Sequence, residues 1–203
     1  EGWRVIAPCR NPGNAMELAS LKGELEIHAL DISDHGQILS LADSLRKEAI
    51  DLLLNNAGIF DPSPSHLVDI DYNDWENFIR INVMSPLMIC ATFSDHVAAS
   101  NLKKIAIMSS KMGSIDDNNS GGSYIYRSSK AALNAVMKSL SIDLAPRGIS
   151  VAILHPGWVR TDMGGPNGLI DAPESVNGLL RVIKDLNLKN SLFNFSNLFI
   201  VKI

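Results

Sequence analysis

Short apolar runs alternate with amphipathic segments along the chain, and this alternation restricts the folds that it can adopt. The runs are predicted to form buried strands over residues 4–9, 24–30, 50–54, 105–108 and 149–154. The segments between them are predicted to form helices over residues 34–49, 73–94 and 126–145. Strands that alternate with helices indicate an α/β fold, in which a parallel sheet carries crossover helices on both faces.

Local signals mark the ends of two of these helices. Asp34 is placed to cap the first helix, because an aspartate oxygen can accept hydrogen bonds from the free backbone N–H groups of a first turn. Gly148 follows the third helix and is predicted to end it before the next strand. The apolar stripe of that third helix consists of Ala132, Ala135, Val136, Leu140 and Leu144.

The composition fits one globular domain over residues 1–203, with 46% apolar and 20% charged residues. A net charge of -4 argues against a nucleic-acid partner, which usually requires a basic excess. No stretch approaches the roughly 18 apolar residues of a membrane span, and the start of the chain lacks the apolar run of a secretory signal. The default expectation is therefore a cytoplasmic protein with no membrane partner.

The cysteines and histidines predict neither a disulfide nor a metal site. Cys9 and Cys90 are far apart in the chain, so we expect two reduced, buried thiols. The five histidines show no close spacing of the kind that metal ligands adopt.

Tyr126 and Lys130 lie four residues apart, so a helix places the phenol and the ammonium on one face. A nearby cation favours the phenolate, and we therefore expect a lowered pKa for Tyr126. Such a phenol can protonate the oxygen that becomes negative when a carbonyl group is reduced. The pair alone is weak evidence, because roughly one chain in seven of this composition contains it by chance. The alternative is a solvated lysine on a surface helix.

Polar residues follow the five predicted strands, where ligands bind in open parallel sheets. They are Arg10, Asp31, Asn55-Asn56-Ala57-Gly58, Ser109-Ser110 and His155-Pro156-Gly157. Three of these groups have a purely structural alternative. The Asn-Asn-Ala-Gly run can be a simple turn after a strand, Arg10 can be a solvated surface charge, and Asp31 can cap the following helix.

These motifs, in this order, resemble those of the short-chain dehydrogenase/reductase family over nearly the whole chain. The matching residues are Asp31-Ile32-Ser33-Asp34, Asn55-Asn56-Ala57-Gly58, Asn82, Ser109-Ser110, Tyr126-x-x-x-Lys130 and Pro156-Gly157-Trp158-Val159-Arg160-Thr161-Asp162. The chain looks most like the C-factor-like carbonyl reductases, through Cys9-Arg10-Asn11-Pro12, residues 109–115 and residues 121–130. The resemblance implies a Rossmann-type, doubly wound parallel sheet.

The resemblance also implies a set of catalytic roles. Tyr126 would be the acid/base, and Lys130 would lower its pKa and bind the nicotinamide ribose. Ser110 would hold the substrate oxygen, while Ser109 would be a packing residue. Asn82 would position a water for proton relay, because its amide carbonyl can accept a hydrogen bond; alternatively it is a polar residue bonded within a helix.

The cofactor implied by the resemblance is NADP(H). Asp31 and Ile32 would contact the adenine, while Asn55, Ala57 and Gly58 would border the adenosine ribose. Arg10 stands where NAD-selective members carry an acidic residue, and its guanidinium can pair with a 2'-phosphate. The residues that would hold the nicotinamide are Tyr126, Lys130, Pro156, Gly157, Val159 and Thr161.

Both ends of the chain depart from the family pattern. The chain starts at what corresponds to the end of the first family helix, so the first strand and the glycine-rich phosphate-binding turn are absent. That strand is central in the family sheet, and its loss predicts two unpaired strand edges. We expect a fragment of a longer protein, or a chain that binds cofactor poorly. Residues 192–196 fit a last strand, whereas residues 198–203 indicate a divergent tail or an altered reading frame.

The function expected from the resemblance is hydride transfer between NADPH and an aldehyde or ketone. Residues 163–176 would form the substrate lid, and the helices at 73–94 and 126–145 would support a homodimer. Neither the substrate nor the physiological direction is written in the sequence. The alternatives are a non-catalytic NADP-binding signalling scaffold and an inactive fragment of such a reductase; a nucleotide-sugar enzyme is disfavoured, because it would need a longer substrate domain.

Overall fold

The structure is a computed structural model that describes residues 2–60 and 67–191. Its contacts divide the chain into two compact units, Glu1–Lys47 and Glu48–Ile203. Both units contain parallel strands connected through helices, so the predicted α/β class is confirmed.

The first unit contains two parallel strands and two helices. Its elements are β1 (Arg4–Cys9), a 3₁₀ turn (Pro12–Asn14), α1 (Met16–Ala19), β2 (Glu24–Ala29) and α2 (His35–Ser44). Arg4 lies opposite Glu24 in the β1–β2 ladder. The predicted cap is present, since Asp34 Oδ1 accepts from the N–H groups of Gly36 and Gln37 at 2.9 and 3.2 Å. The helix ends earlier than predicted, because tight i→i+3 bonds close its last turn.

A three-stranded parallel sheet forms the centre of the second unit. Its strands are β3 (Leu52–Asn55), β4 (Lys104–Met108) and β5 (Ser150–Leu154), in the order β3-β4-β5. Leu53 lies beside Ile105, which in turn lies beside Val151. The described strands thus form two sheets and not one continuous sheet. Among the described residues β1 pairs with β2 alone, and β3 pairs with β4 alone.

The helices of the second unit are α3 (Tyr72–Ile79), α4 (Ser85–Ala98), α5 (Tyr124–Leu144) and α6 (Ala172–Asp185). The single helix predicted over residues 73–94 is interrupted by a π-helical turn at Arg80–Met84. Pro86 has no N–H to continue the regular ladder, and the N–H and Oγ of Ser85 both turn to the carbonyl of Arg80. The helix predicted over residues 126–145 is confirmed as α5.

Helices pack on both faces of the central sheet. Val151 and Ile153 of β5 face a core that includes Cys90 of α4 and Met137 of α5. The alternate residues of the strand face the opposite side, in a cluster formed by Ala106, Ala152, Leu154, Ile183 and Leu186. Burial on both faces explains why β4 and β5 appear in the sequence as continuous apolar runs.

Helix α6 is not predicted from the sequence. Pro173 and Gly178 obscure its helical pattern, although proline is well tolerated in a first turn. The predicted lid at 163–176 therefore includes the start of a regular helix. The strand predicted at 192–196 lies outside the described residues. In the described ranges no helix is long and apolar enough to cross a membrane, and no group of three or more metal-ligating side chains occurs.

Candidate active site

The first turn of α5 and the end of β4 bring Tyr126 and Ser110 together. Ser110 caps a short 3₁₀ turn, Lys111–Gly113, by accepting from the N–H of Met112 at 3.2 Å. This turn packs closely on α5, and a side chain at Gly113 would lie 2.8 Å from the backbone of Lys130. As a result, the Ser110 hydroxyl lies near enough to the phenol of Tyr126 to lower its pKa.

Lys130 lies one helical turn after Tyr126 and is buried beside it. Its Nζ is 5.8 Å from the centroid of the Tyr126 ring, so the predicted common face is confirmed. The same Nζ donates to the carbonyl oxygen of Met108, the last residue of β4, at 3.2 Å. The lysine is therefore anchored to the end of the central strand.

The prediction of an unusually acidic phenol is wrong for this structure. Burial raises the pKa of Tyr126 above its ordinary value, and the neighbouring Ser110 hydroxyl opposes this effect only in part. Burial also lowers the pKa of Lys130, to about 8. A low-polarity environment disfavours the charged form of each group, which raises the pKa of a phenol and lowers the pKa of an amine.

Asn82 lies in the π-helical turn and holds the backbone of Ile59. Its Oδ1 accepts from the N–H of Ile59 at 2.9 Å, and its Nδ2 donates to the carbonyl of the same residue at 3.0 Å. Nδ2 also lies 3.1 Å from the Oγ of Ser129 on α5. The amide is therefore largely occupied by protein groups, and one lone pair of Oδ1 remains for the relay water that the resemblance implies.

Asn55 is the last residue of β3, and its side chain is buried. Its Nδ2 donates into the core, to the carbonyl of Pro86 at 3.3 Å and to the Sγ of Cys90 at 3.1 Å. The side chain therefore ties β3 to α4. Ala57 is exposed and Gly58 is half-buried in the loop that follows.

Arg10, Asp31 and Ile32 lie in the first unit, at the ends of its two strands. Asp31 does not cap α2. Its Oδ1 accepts from the hydroxyl and the N–H of Ser33 at 2.7 and 2.9 Å. The Ser33 hydroxyl and N–H, and then the charge of Arg10, lower the pKa of Asp31. Arg10 itself is exposed, so its guanidinium is available to an anion.

The loop between β5 and α6 is held by its own contacts. The Pro156 carbonyl accepts from Ser175 of α6 at 2.6 Å, and Val159 bridges to Ile170. Gly157 has a φ of 87°, and a Cβ there would lie 2.6 Å from the side chain of Ile170. Thr161 Oγ1 accepts from the N–H of Gly164 at 3.1 Å. Thr161 therefore stabilises a tight turn inside the loop.

The sequence model of the family described as short chain dehydrogenase matches residues 1–168 of this chain. The chain belongs to the short-chain dehydrogenase/reductase family. It is 44% identical over 142 residues to C-signal of Myxococcus xanthus, which covers 70% of this chain and 85% of that protein. This match confirms the predicted C-factor-like membership.

Solved structures of family members confirm the Rossmann-type α/β fold. The carbonyl reductase Sniffer of D. melanogaster superposes with a TM-score of 0.85 and 32% identity, over 92% of this chain and 82% of that one. An NADPH-bound carbonyl reductase from chicken fatty liver gives a TM-score of 0.84 and 32% identity, over 94% and 83%. The chain is thus an enzyme of the short-chain dehydrogenase/reductase type.

Two further residues have tertiary features that the sequence does not predict. The ring of Phe60 packs edge-on against that of Tyr126, although 66 residues separate them in the chain. His155 follows β5 and has a buried Nδ1 for which the described residues offer no hydrogen-bond partner. Burial, and then the charge of Lys111, lower the pKa of His155. Local spacing predicts neither the ring contact of Phe60 nor the burial of His155 Nδ1, because both depend on tertiary packing.

Proposed function

We propose that this protein is an NADPH-dependent reductase of aldehydes or ketones, which also catalyses the reverse oxidation of the alcohol. The observation that carries the proposal is the position of the Tyr126 phenol beside the buried ammonium of Lys130, whose Nζ lies 5.8 Å from the ring centroid and donates to the carbonyl of Met108. The Ser110 hydroxyl lies near enough to the phenol to lower its pKa. Two hydroxyl groups that lie side by side can both donate a hydrogen bond to a single carbonyl oxygen.

The residues present fit an NADPH cofactor. Gly58 approaches Asn82 and Lys130 closely, since a Cβ there would lie 3.2 Å from Asn82 Oδ1 and 3.5 Å from Lys130 Nζ, so the segment after β3 lies beside the ammonium that would bind a ribose. In the first unit, the exposed guanidinium of Arg10 is suited to a 2'-phosphate and the carboxylate of Asp31 to an amino group. The chicken carbonyl reductase contains NADPH, which supports the same cofactor here. The Nδ2 of Asn55 is occupied by its contacts in the core, so a cofactor contact of this residue would use its other polar groups.

When bound, NADPH supplies the hydride for the reduction. Ser110 orients the carbonyl oxygen through its hydroxyl, and Tyr126 delivers its phenolic proton to that oxygen as negative charge develops there. A raised pKa keeps Tyr126 protonated at neutral pH, which is the form that reduction requires. Lys130 stabilises the phenolate that remains, because its ammonium is charged at pH 7.

Replacement of the phenol tests this proposal directly. We expect Tyr126→Phe to lose roughly 100- to 10,000-fold in kcat toward a panel of aldehydes and ketones, because this is the contribution of general acid catalysis. NADPH affinity should remain within about threefold. Tyr124→Phe is the matched control, because Tyr124 lies two residues earlier in α5, is partly exposed and should be dispensable. Full turnover by Tyr126→Phe would refute the proposal.

A second candidate is an NADP-binding signalling protein without useful turnover, which the similarity to C-signal favours. It predicts NADPH binding by the intact chain but no NADPH consumption with any carbonyl of the panel. The same assays therefore separate the two candidates.

A further inference from the structure

Phe60 is the aromatic neighbour of the proposed acid. The centroids of the Phe60 and Tyr126 rings are 4.7 Å apart, and the ring planes meet at 77°. Aromatic rings prefer this edge-to-face geometry, because the positive edge of one ring meets the negative face of the other. The contact therefore fixes the plane of the phenol as well as its position.

The backbone that carries Phe60 is held unusually firmly. The preceding residue, Ile59, is bound through both its N–H and its carbonyl by the amide of Asn82. The same amide contacts Ser129, whose Oγ donates to the carbonyl of Tyr126 at 2.8 Å. One side chain thus connects the segment that bears Phe60 to the helical turn that bears the phenol.

The other sides of the phenol are also occupied. Its hydroxyl meets Ser110, and the ammonium of Lys130 lies 5.8 Å from the ring centroid. Phe60 restrains the ring itself, because the hydroxyl contact alone would allow the ring to tilt about its Cβ–Cγ bond. A tilt of the ring would move the phenolic proton away from the substrate oxygen to which the Ser110 hydroxyl also donates.

We propose that Phe60 is a positioning residue, which holds the Tyr126 ring in the orientation that aims its proton at the substrate oxygen. This role rests on the proposed function and deepens it. The specific requirement is an aromatic ring at position 60, not simply an apolar side chain of similar size.

Three substitutions separate ring positioning from space filling. Phe60→Leu keeps an apolar side chain but removes the ring, Phe60→Tyr keeps the ring, and Phe60→Ala removes both. We expect Phe60→Leu to lower kcat about tenfold with KM within about threefold, since misaligned acids lose transition-state contacts. Phe60→Tyr should retain at least about half of the original kcat.

A second measurement follows the phenol without using turnover. The absorbance of the phenolate at alkaline pH, taken as the difference between each protein and the same protein with Tyr126→Phe, isolates this tyrosine from Tyr72 and Tyr124. Because burial raises the pKa of Tyr126, Phe60→Ala should admit water and shift its titration to lower pH. Phe60→Tyr would add a second phenol, so the titration is restricted to the Ala and Leu variants.

The outcomes distinguish this inference from the proposed function. An unchanged kcat in Phe60→Leu, or an equal loss in Phe60→Leu and Phe60→Tyr, would overturn the positioning role. An unchanged Tyr126 titration in Phe60→Ala would also overturn it. Full activity of Tyr126→Phe would instead refute the proposed function, while the titration would still test the contact between the two rings.

Discussion

Lys130 Nζ lies 5.8 Å from the centroid of the Tyr126 ring and donates its hydrogen bond to the carbonyl of Met108. The ammonium is thus held at the end of β4, next to the phenol. Burial raises the pKa of Tyr126 and lowers that of Lys130 to about 8. At neutral pH both groups carry their protons, and this arrangement suits proton donation better than proton abstraction.

The buried ammonium should make the fold less stable than an uncharged residue would. The pKa of Lys130 is about 8 in the folded chain and 10.5 for an ordinary lysine, a difference equivalent to about 3 kcal/mol. The lost hydrogen bond to Met108 offsets about 1 kcal/mol of this. We therefore expect Lys130→Met to raise the free energy of unfolding by about 2 kcal/mol at pH 7 and to abolish turnover.

The sign of the pH dependence follows from proton binding. Between about pH 8 and 10.5 the unfolded chain binds more protons at Lys130 than the folded chain does, so this group adds stability as pH rises. The difference in free energy of unfolding between Lys130→Met and the original protein should therefore be smaller at pH 9.5 than at pH 7. Urea unfolding at the two pH values measures this difference. The exposed Lys189→Met serves as control. A variant that is less stable than the original at pH 7 would contradict the prediction.

Carbonyl reduction should decline as Lys130 loses its proton. The decline in kcat/KM is expected to begin near pH 8, because the ammonium that stabilises the developing phenolate is progressively lost above this pH. The phenol itself stays protonated through this range, since burial raises its pKa. Lys130→Arg, if it retains measurable activity, should remove the decline, because a guanidinium stays charged. A flat profile between pH 7 and 10 in the original protein would count against this role of Lys130.

The sequence predicts those parts of the site that depend on local spacing. Tyr126 and Lys130 share a face because a helix repeats every 3.6 residues, and Ser110 follows a recognisable buried strand. The orientation of Asn55 and the contact of Phe60 depend on partners more than 30 residues away, which no local pattern encodes. The direction of the Tyr126 pKa shift is missed for a related reason, since it depends on how deeply the fold buries the ring.

Substitutions of Asn55 and Arg10 should distinguish a residue that stabilises the fold from one that binds the cofactor. Asn55→Ala removes a buried hydrogen bond to the carbonyl of Pro86, so we expect a loss of about 1 kcal/mol in stability. Its NADPH Kd should change by less than about threefold. Arg10→Ala should show the reverse pattern, with unchanged stability and an NADPH Kd raised roughly 10- to 100-fold, because a charge-assisted contact to the 2'-phosphate is lost.

Fluorescence titration and urea unfolding of both variants measure these effects. NADH provides the internal control, since it lacks the 2'-phosphate and its Kd should be insensitive to Arg10→Ala. If Asn55→Ala weakens NADPH binding tenfold at full stability, the side chain contacts the cofactor after all.

Gly113 should be intolerant of any side chain, because the turn that carries Ser110 approaches α5 too closely. A Cβ at this position would lie 2.8 Å from the carbonyl carbon of Lys130, 2.9 Å from its oxygen and 2.9 Å from Asn134 Nδ2. Backbone atoms of a helix cannot yield, so the turn must move outward and take Ser110 away from Tyr126. We expect Gly113→Ala to lose about 1–3 kcal/mol of stability through overpacking.

The displacement should affect catalysis more than binding. A shift of about 1 Å in a catalytic group can cost roughly 100-fold in rate, so kcat should fall by at least about tenfold while the NADPH Kd stays within about threefold. Gly13→Ala is the matched control, because a Cβ there meets nothing within 4 Å and should leave kcat unchanged. Equal kcat and equal urea midpoints for the two variants would show that the turn does not need this close approach to place the Ser110 hydroxyl against the phenol.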